Sequence, residues 1–171
     1  IGLEVLALFD YARVEQYRGH IFRSAEVVDQ GLELALRLPQ QARLFPRARL
    51  IIYRAFMRFL QGNIEGARQD AYIGINEANR CRDVIVLYGY SLLALIHLLK
   101  HQGSAALEVL AEAERLMQRW QVSEQVYQGW LSIVKANIWM ALSKWNRAQD
   151  CLDSVDKDST NSGIHCAELF P

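Results

Sequence analysis

Small residues recur in step along this chain, and that constrains its fold more than any single motif. Ala12, Ala55, Ala94 and Ala136 are each followed twelve residues later by another small side chain: Ser24, Ala67, Ala106 and Ala148. Nineteen residues after the first three alanines come Gly31, Gly74 and Ala113, with Val155 in the fourth unit. Sixteen residues on stand Val28, Ala71, Leu110 and Leu152, and nine residues on Ile21, Ile64, Gly103 and Trp145. The alanines lie 43, 39 and 42 residues apart. Two helices approach closely only where side chains are small. The offset of twelve puts one small residue midway along a first helix and another early in a second. The third small residue lets that second helix lie on the next pair. A lone pair cannot bury its apolar face, so successive pairs stack into a solenoid.

Between these marks the apolar residues keep helical periodicity. Eight helices are predicted, at about Leu3–Arg18, Ile21–Leu38, Pro46–Gln61, Ile64–Arg80, Val84–Lys100, Ala105–Trp120, Ser123–Leu142 and Trp145–Val155. Gly19 and Gly62 suit the left-handed residue that closes a helix. Pro39 and Pro46 bracket the connection between the second and third helices, with Pro46 read as the opening of the third. Four hairpins are expected over about residues 3–155 of a single domain, followed by a tail, 156–171. Asp156–Ser162 reads as a polar loop, and Gly163–Phe170 as the start of another helix or a segment docked on the last hairpin. Beginning at Ile1 and ending at Pro171, the chain reads as a piece of something longer.

Lys plus Arg equals Asp plus Glu at 19 each, so there is no bulk charge with which to grip nucleic acid. Three cysteines, an odd and sparse set, suit reduced thiols in a cytoplasmic protein better than a disulfide framework. The longest apolar stretch, Val84 to Leu99, is interrupted by Gly89 and reads as a buried helix, not a membrane span.

No catalytic constellation emerges and no cofactor is implied. His97 and His101 share a helix face, but two histidines without a third ligand do not make a metal site. Cys81 lies between Arg80 and Arg82, which would favour its thiolate, yet a packed helix-end cysteine is the simpler reading. Glu108, Glu112 and Glu114 read as a solvated face. Arg47, Arg54 and Arg58 fall along one side of the third helix, with Arg43 and Arg49 near; they offer either an anion site or partners for acids on the next helix, and the second is preferred. Trp120, Tyr127, Trp130, Trp139 and Trp145 crowd the last third, mostly as packing, with one a candidate ligand contact.

The three small-residue offsets resemble those of the tetratricopeptide repeat. The units here are longer, and the leucine landmark of the first helix is replaced at Tyr11, Arg54 and Lys135. Longer units of this kind resemble the superhelical sensor domain of MalT-type activators of the LuxR family, as do the turns Gly62–Arg68 and Leu142–Ala148. The resemblance implies a right-handed superhelix of antiparallel helix pairs, all-α, whose first helices line a concave groove. Carried over by counting from each alanine, the groove contacts it implies are Arg13, Tyr17, Arg49, Phe56, Tyr88, Ser91, Trp130 and Asn137. The expected role is a non-catalytic sensor module of a transcriptional regulator, taking a small-molecule inducer or a protein or peptide. The alternative is an adaptor for a peptide or partner helix. Neither nucleic acid nor membrane is expected to touch this segment. Weak self-association through unfinished end faces is expected, because outer helices keep apolar surface that a neighbouring repeat would cover.

Overall fold

The computed structural model describes residues 1–122 and 125–162, and the side chains of these apart from 125–128 and 156–162. The described residues form eight helices: α1 (Gly2–Tyr17), α2 (Ile21–Ala35), α3 (Gln40–Leu60), α4 (Ile64–Cys81), α5 (Val86–Leu99), α6 (Gly103–Trp120), α7 (Gln125–Ala141) and α8 (Trp145–Ser162). No strand occurs among the described residues. The all-α hairpin architecture expected from the periodicity is therefore present.

Two boundaries differ from expectation. α3 opens at Gln40 because Pro39, at φ −54° and ψ 147°, holds the extended conformation that precedes a helix. Pro46 then sits inside α3, buried, at the cost of one backbone hydrogen bond. α8 continues to Ser162, so Asp156–Ser162 is helix and not loop. Neither Gly nor Pro interrupts that stretch before Gly163. Gly163–Phe170 lies outside the described residues.

The repeat is visible in the backbone itself. Gly19, Gly62, His101 and Ser143, each seven residues beyond an anchoring alanine, all take positive φ, at 81°, 80°, 58° and 57°. Their amides donate to carbonyls three residues back: Gln16 (2.8 Å), Phe59 (3.0 Å), Leu98 (2.9 Å) and Met140 (2.9 Å). The next amides, of His20, Asn63, Gln102 and Lys144, reach five residues back at 2.9, 2.8, 3.0 and 2.8 Å. This is one helix-closing turn made four times. The carbonyls of those same four residues then accept from the amides of Ser24, Ala67, Ala106 and Ala148, at 2.9–3.1 Å. Each second helix thus starts in fixed register with its small residue. α4 and α6 also close alike, through Arg82 (φ 52°) and Gln121 (φ 54°).

A left-handed conformation costs a side chain about 1–2 kcal/mol and costs glycine almost nothing, though glycine loses more freedom on folding. His101→Gly and Ser143→Gly are each expected to gain about 0.5–1 kcal/mol, read as a higher urea midpoint at unchanged slope. A lower midpoint in both would mean that neither residue holds that conformation.

The chain divides into two compact units, residues 1–92 and residues 93 onward, with the division inside α5. In the first unit α1 packs on α2, α2 on α3, and α3 on α4. Ala12 and Ser24 meet across the first hairpin, where the Ser24 hydroxyl donates to the Ala12 carbonyl at 2.8 Å. A Cβ added to Gly31 of α2 would sit 3.0 Å from a methyl of Leu50 on α3. α3 carries the core of this unit: Leu50, Ile51, Ile52, Tyr53, Ala55, Phe56 and Met57 are all buried, because α2 and α4 flank it. In the second unit α7 packs on both α6 and α8. Ala106, Leu110, Ala113, Leu116, Leu131, Val134 and Ile138 make its core. All four anchoring alanines are buried, as are Ser24, Ala67, Ala106 and Ala148.

Candidate binding surface

The arginines of α3 are ion-pair partners of the neighbouring acids. Arg54 grips Asp70 of α4 through Nε (2.8 Å) and Nη2 (2.9 Å) and reaches Asp29 of α2 at 3.5 Å. Arg58 Nη1 holds the same Asp70 at 2.8 Å. Arg47 pairs with Glu77 of α4. Arg49 forks onto Asp83, just beyond α4, at 2.7 and 3.2 Å. Burial works against the Arg54 charge, but Asp70 and Asp29 outweigh it and raise its affinity for the proton. Burial, with Arg43 and Arg54 close by, pulls Arg47 the other way. The preference for pairing over an anion site agrees with these bonds.

Asp70 and Asp83 are buried carboxylates that sequence reading does not single out. Asp70 carries a signal, since it lies between Ala67 and Gly74 on the packed face of α4. Asp83 carries none. It also accepts the Ile85 amide at 3.1 Å and so fixes the start of the chain's approach to α5.

Beside this network lies an open cleft of about 370 Å³ between α2 and α3. Asp29, Leu32 and Glu33 of α2, with Leu36 just beyond it, form one wall, and Arg47, Ile51 and Arg54 of α3 the other. None of the eight residues carried over for the groove lines it.

Those eight are placed as follows. Arg13 is half-buried, bonds the exposed Tyr17, lies 3.7 Å from Asp10, and holds its guanidinium 5.9 Å from the Phe9 ring centre. Burial opposes its charge, and Tyr17 and Asp10 more than restore it. Arg49 is committed to Asp83 and also stacks 4.4 Å over Phe45. Phe56 is buried, with its ring centre 6.5 Å from that of Phe59. Tyr88 is half-buried. Ser91 is fully buried, its hydroxyl donating to the Leu87 carbonyl at 2.9 Å. In the second unit Trp130 is buried, while Asn137 is exposed and donates to the Ile133 carbonyl at 2.9 Å. Among these positions the fold brings Arg13 and Tyr17 into a side-chain hydrogen bond.

The other candidates resolve locally. His97 Nδ1 bonds Gln102 at 2.8 Å, and His101 occupies the left-handed turn position. Among the described residues no three His, Cys, Asp or Glu side chains gather as a metal site would need. Burial pushes the Cys81 thiol up, and Asp83 adds to it, the opposite of what its flanking arginines suggested. Glu112 pairs with Arg115 and Glu114 with Lys135. Trp139 carries Arg147 4.7 Å over its ring, Trp145 is exposed, and the Tyr127 side chain lies outside the described residues. No described helix is long and apolar enough to cross a membrane.

The fold has solved counterparts. A crystal structure of BtubC (BKLC) from P. vanneervenii matches with a TM-score of 0.57 at 14% identity, over 96% of this chain and 83% of that one. A Podosopora anserina protein described as a kinesin light chain with nearly identical TPR-like repeats, crystallised as a point variant, matches at TM-score 0.57 and 13% identity, over 95% and 97% of the two chains. The chain therefore has a TPR-like helical-repeat fold. No family model matches it, and neither does any curated protein.

Proposed function

We propose that this chain is a non-catalytic repeat scaffold that binds a protein partner, as a peptide or a helix laid against the first helices of its hairpins. The observation that carries this reading is a repeated one. Five residues beyond each anchoring alanine stands an exposed apolar side chain: Tyr17, Leu60, Leu99 and Ala141. Soluble proteins scatter exposed apolar residues singly; a position exposed twice in the first unit (Tyr17, Leu60) and twice in the second (Leu99, Ala141) is kept for contact within each unit. The TPR-like fold supports the reading. Arg13, Tyr17, Tyr88 and Asn137 are the polar or aromatic contacts within reach of a partner. Arg49, Phe56, Ser91 and Trp130 act from beneath, holding the first helices in place.

The finer reading, a ligand-sensing module of a MalT-like regulator of the LuxR family, rests on the length of the units and on the two turn sequences. In it, the same positions would take a small inducer.

A photo-crosslinking residue placed at Tyr17, Leu60 or Leu99 in cells expressing the chain tests the proposal, with Gln69 and Glu108, exposed on second helices, as controls. One protein partner captured from the first three positions and not from the controls is expected. Equal capture from both sets, or none, would contradict it. A small-molecule adduct at those positions in place of a protein would favour the sensing reading.

A further inference from the structure

The cleft between α2 and α3 has two walls of unlike character. Asp29, Leu32, Glu33 and Leu36 fall at helical spacing on one face, so two carboxylates and two leucines border the same space. Leu36 is exposed at 61%, Leu32 is half-buried, and buried Ile51 joins them from α3. The charges of the α3 wall are already matched. Arg54 holds Asp70 through two hydrogen bonds, and Arg47 pairs with Glu77, both acids of α4. Glu77 has capacity beyond that pair, since its Oε2 is buried with no hydrogen-bond partner among the described residues. The charges of the α2 wall are not matched. Asp29 has one contact, with Arg54 at 3.5 Å, and 60% of its side chain faces solvent. Glu33 is exposed and makes no ion pair among the described residues. A neutral chain thus keeps uncompensated negative charge beside an apolar lining at this one cleft.

We infer that this cleft takes a basic side chain, lysine or arginine, from a partner protein. The aliphatic stem lies along Leu32, Leu36 and Ile51, and the charged head meets Asp29 and Glu33. Long basic side chains have this build, with an apolar stem and a charged tip. An acidic residue would meet two like charges, and an apolar one would leave both carboxylates without a partner. Arg47 gives Glu77 one nitrogen, Nη1, so its remaining N–H groups can donate to carbonyls of the partner's backbone. A free amine has no such carbonyls, which points to a peptide as the source. The cleft is separate from the first-helix positions proposed above and does not depend on them.

Titrating the nitrogen-15-labelled chain at low salt with N-acetyl-lysine methylamide, followed by NMR, tests this. Saturable shifts confined to amides around residues 29–36 and 47–54 are expected. The norleucine and glutamate analogues of the probe are expected to bind more weakly, as is butylammonium, which has the stem and charge without the peptide groups. Asp29→Asn combined with Glu33→Gln is expected to weaken the lysine probe about fivefold and to leave the norleucine probe unchanged. Both side chains are exposed, so the variant should keep the wild-type helical circular dichroism. No saturable shift at the cleft, an equal affinity for the norleucine or glutamate probe, or an unchanged affinity in the folded variant would each overturn the inference. Butylammonium binding as tightly as the lysine probe would overturn the assignment to a protein side chain.

Discussion

Asp70→Asn is expected to cost about 3 kcal/mol of stability. Asp70 is buried and holds two guanidiniums, Arg54 through two hydrogen bonds and Arg58 through a third contact. Asparagine keeps the shape and removes the charge, which leaves both cations without their carboxylate. Breaking a buried pair from one side costs about 3–5 kcal/mol. Both arginines keep a quarter to a third of their side-chain surface in water, which places the effect at the lower end. Removing charge from both sides differs. Asp70→Leu combined with Arg54→Met and Arg58→Met is expected to recover most of the loss, because packed apolar groups can replace a buried ion network at little cost. Urea unfolding read by circular dichroism measures both. A loss under about 1 kcal/mol in the single variant would mean that the pair is surface-like.

Gly74→Leu is expected to cost about 3 kcal/mol or more. Gly74 is the third small residue of its hairpin, and an added Cβ there would come 3.2 Å from the backbone nitrogen of Ile52 as well as onto its side chain. Backbone cannot step aside as a side chain can. Gly74→Ala separates the opposing terms. Alanine gains about 1 kcal/mol of helix propensity over glycine, and overpacking costs about 1–3 kcal/mol. A net loss is expected. Gly31→Ala makes the contrast, since the nearest atoms to its Cβ would be the methyls of Leu50, at 3.0 and 3.1 Å, and these can rotate away. Its expected change is within about 1 kcal/mol of zero. Equal midpoints for both alanine variants would contradict the close approach at Gly74.

The seams are legible in the sequence because packing leaves a compositional mark: where two backbones approach, only Ala, Gly or Ser fits. That mark pairs Ala12 with Ser24, which meet in the structure, and picks out the buried Ala55, Ala67, Ala94, Ala106, Ala136 and Ala148 without any coordinates. The turns are half legible. Gly19 and Gly62 announce positive φ, while His101 and Ser143 take the same conformation without a residue type that signals it. Their position follows from the repeat offset, a stronger guide here than glycine. Pro46 misleads because a proline is compatible both with a helix start and, at the cost of one bond, with a helix interior. Asp83 cannot be read at all: its burial depends on Arg49, 34 residues away. Counting from the alanines finds which residues share a helix face. It does not tell whether another helix covers that face, which is why Ser91 and Trp130 are buried while Tyr17 and Asn137 are exposed. Of the apolar residues five beyond each alanine, only Tyr17 is among the groove contacts counted from the sequence; Leu60 and Leu99 emerge from their exposure.

The central claim is that four hairpins share one seam. Paired cysteines test it most directly, in a chain whose Cys81, Cys151 and Cys166 are replaced by serine. The pairs are Ala12 with Ser24, Ala55 with Ala67, Ala94 with Ala106, and Ala136 with Ala148, each changed to cysteine in its own variant. A disulfide forms only where the two Cα atoms lie within about 7 Å. All four variants are expected to oxidise to an intramolecular bond under native conditions while keeping wild-type circular dichroism. Oxidation of the first pair with failure of any other, in folded protein, would contradict the shared seam.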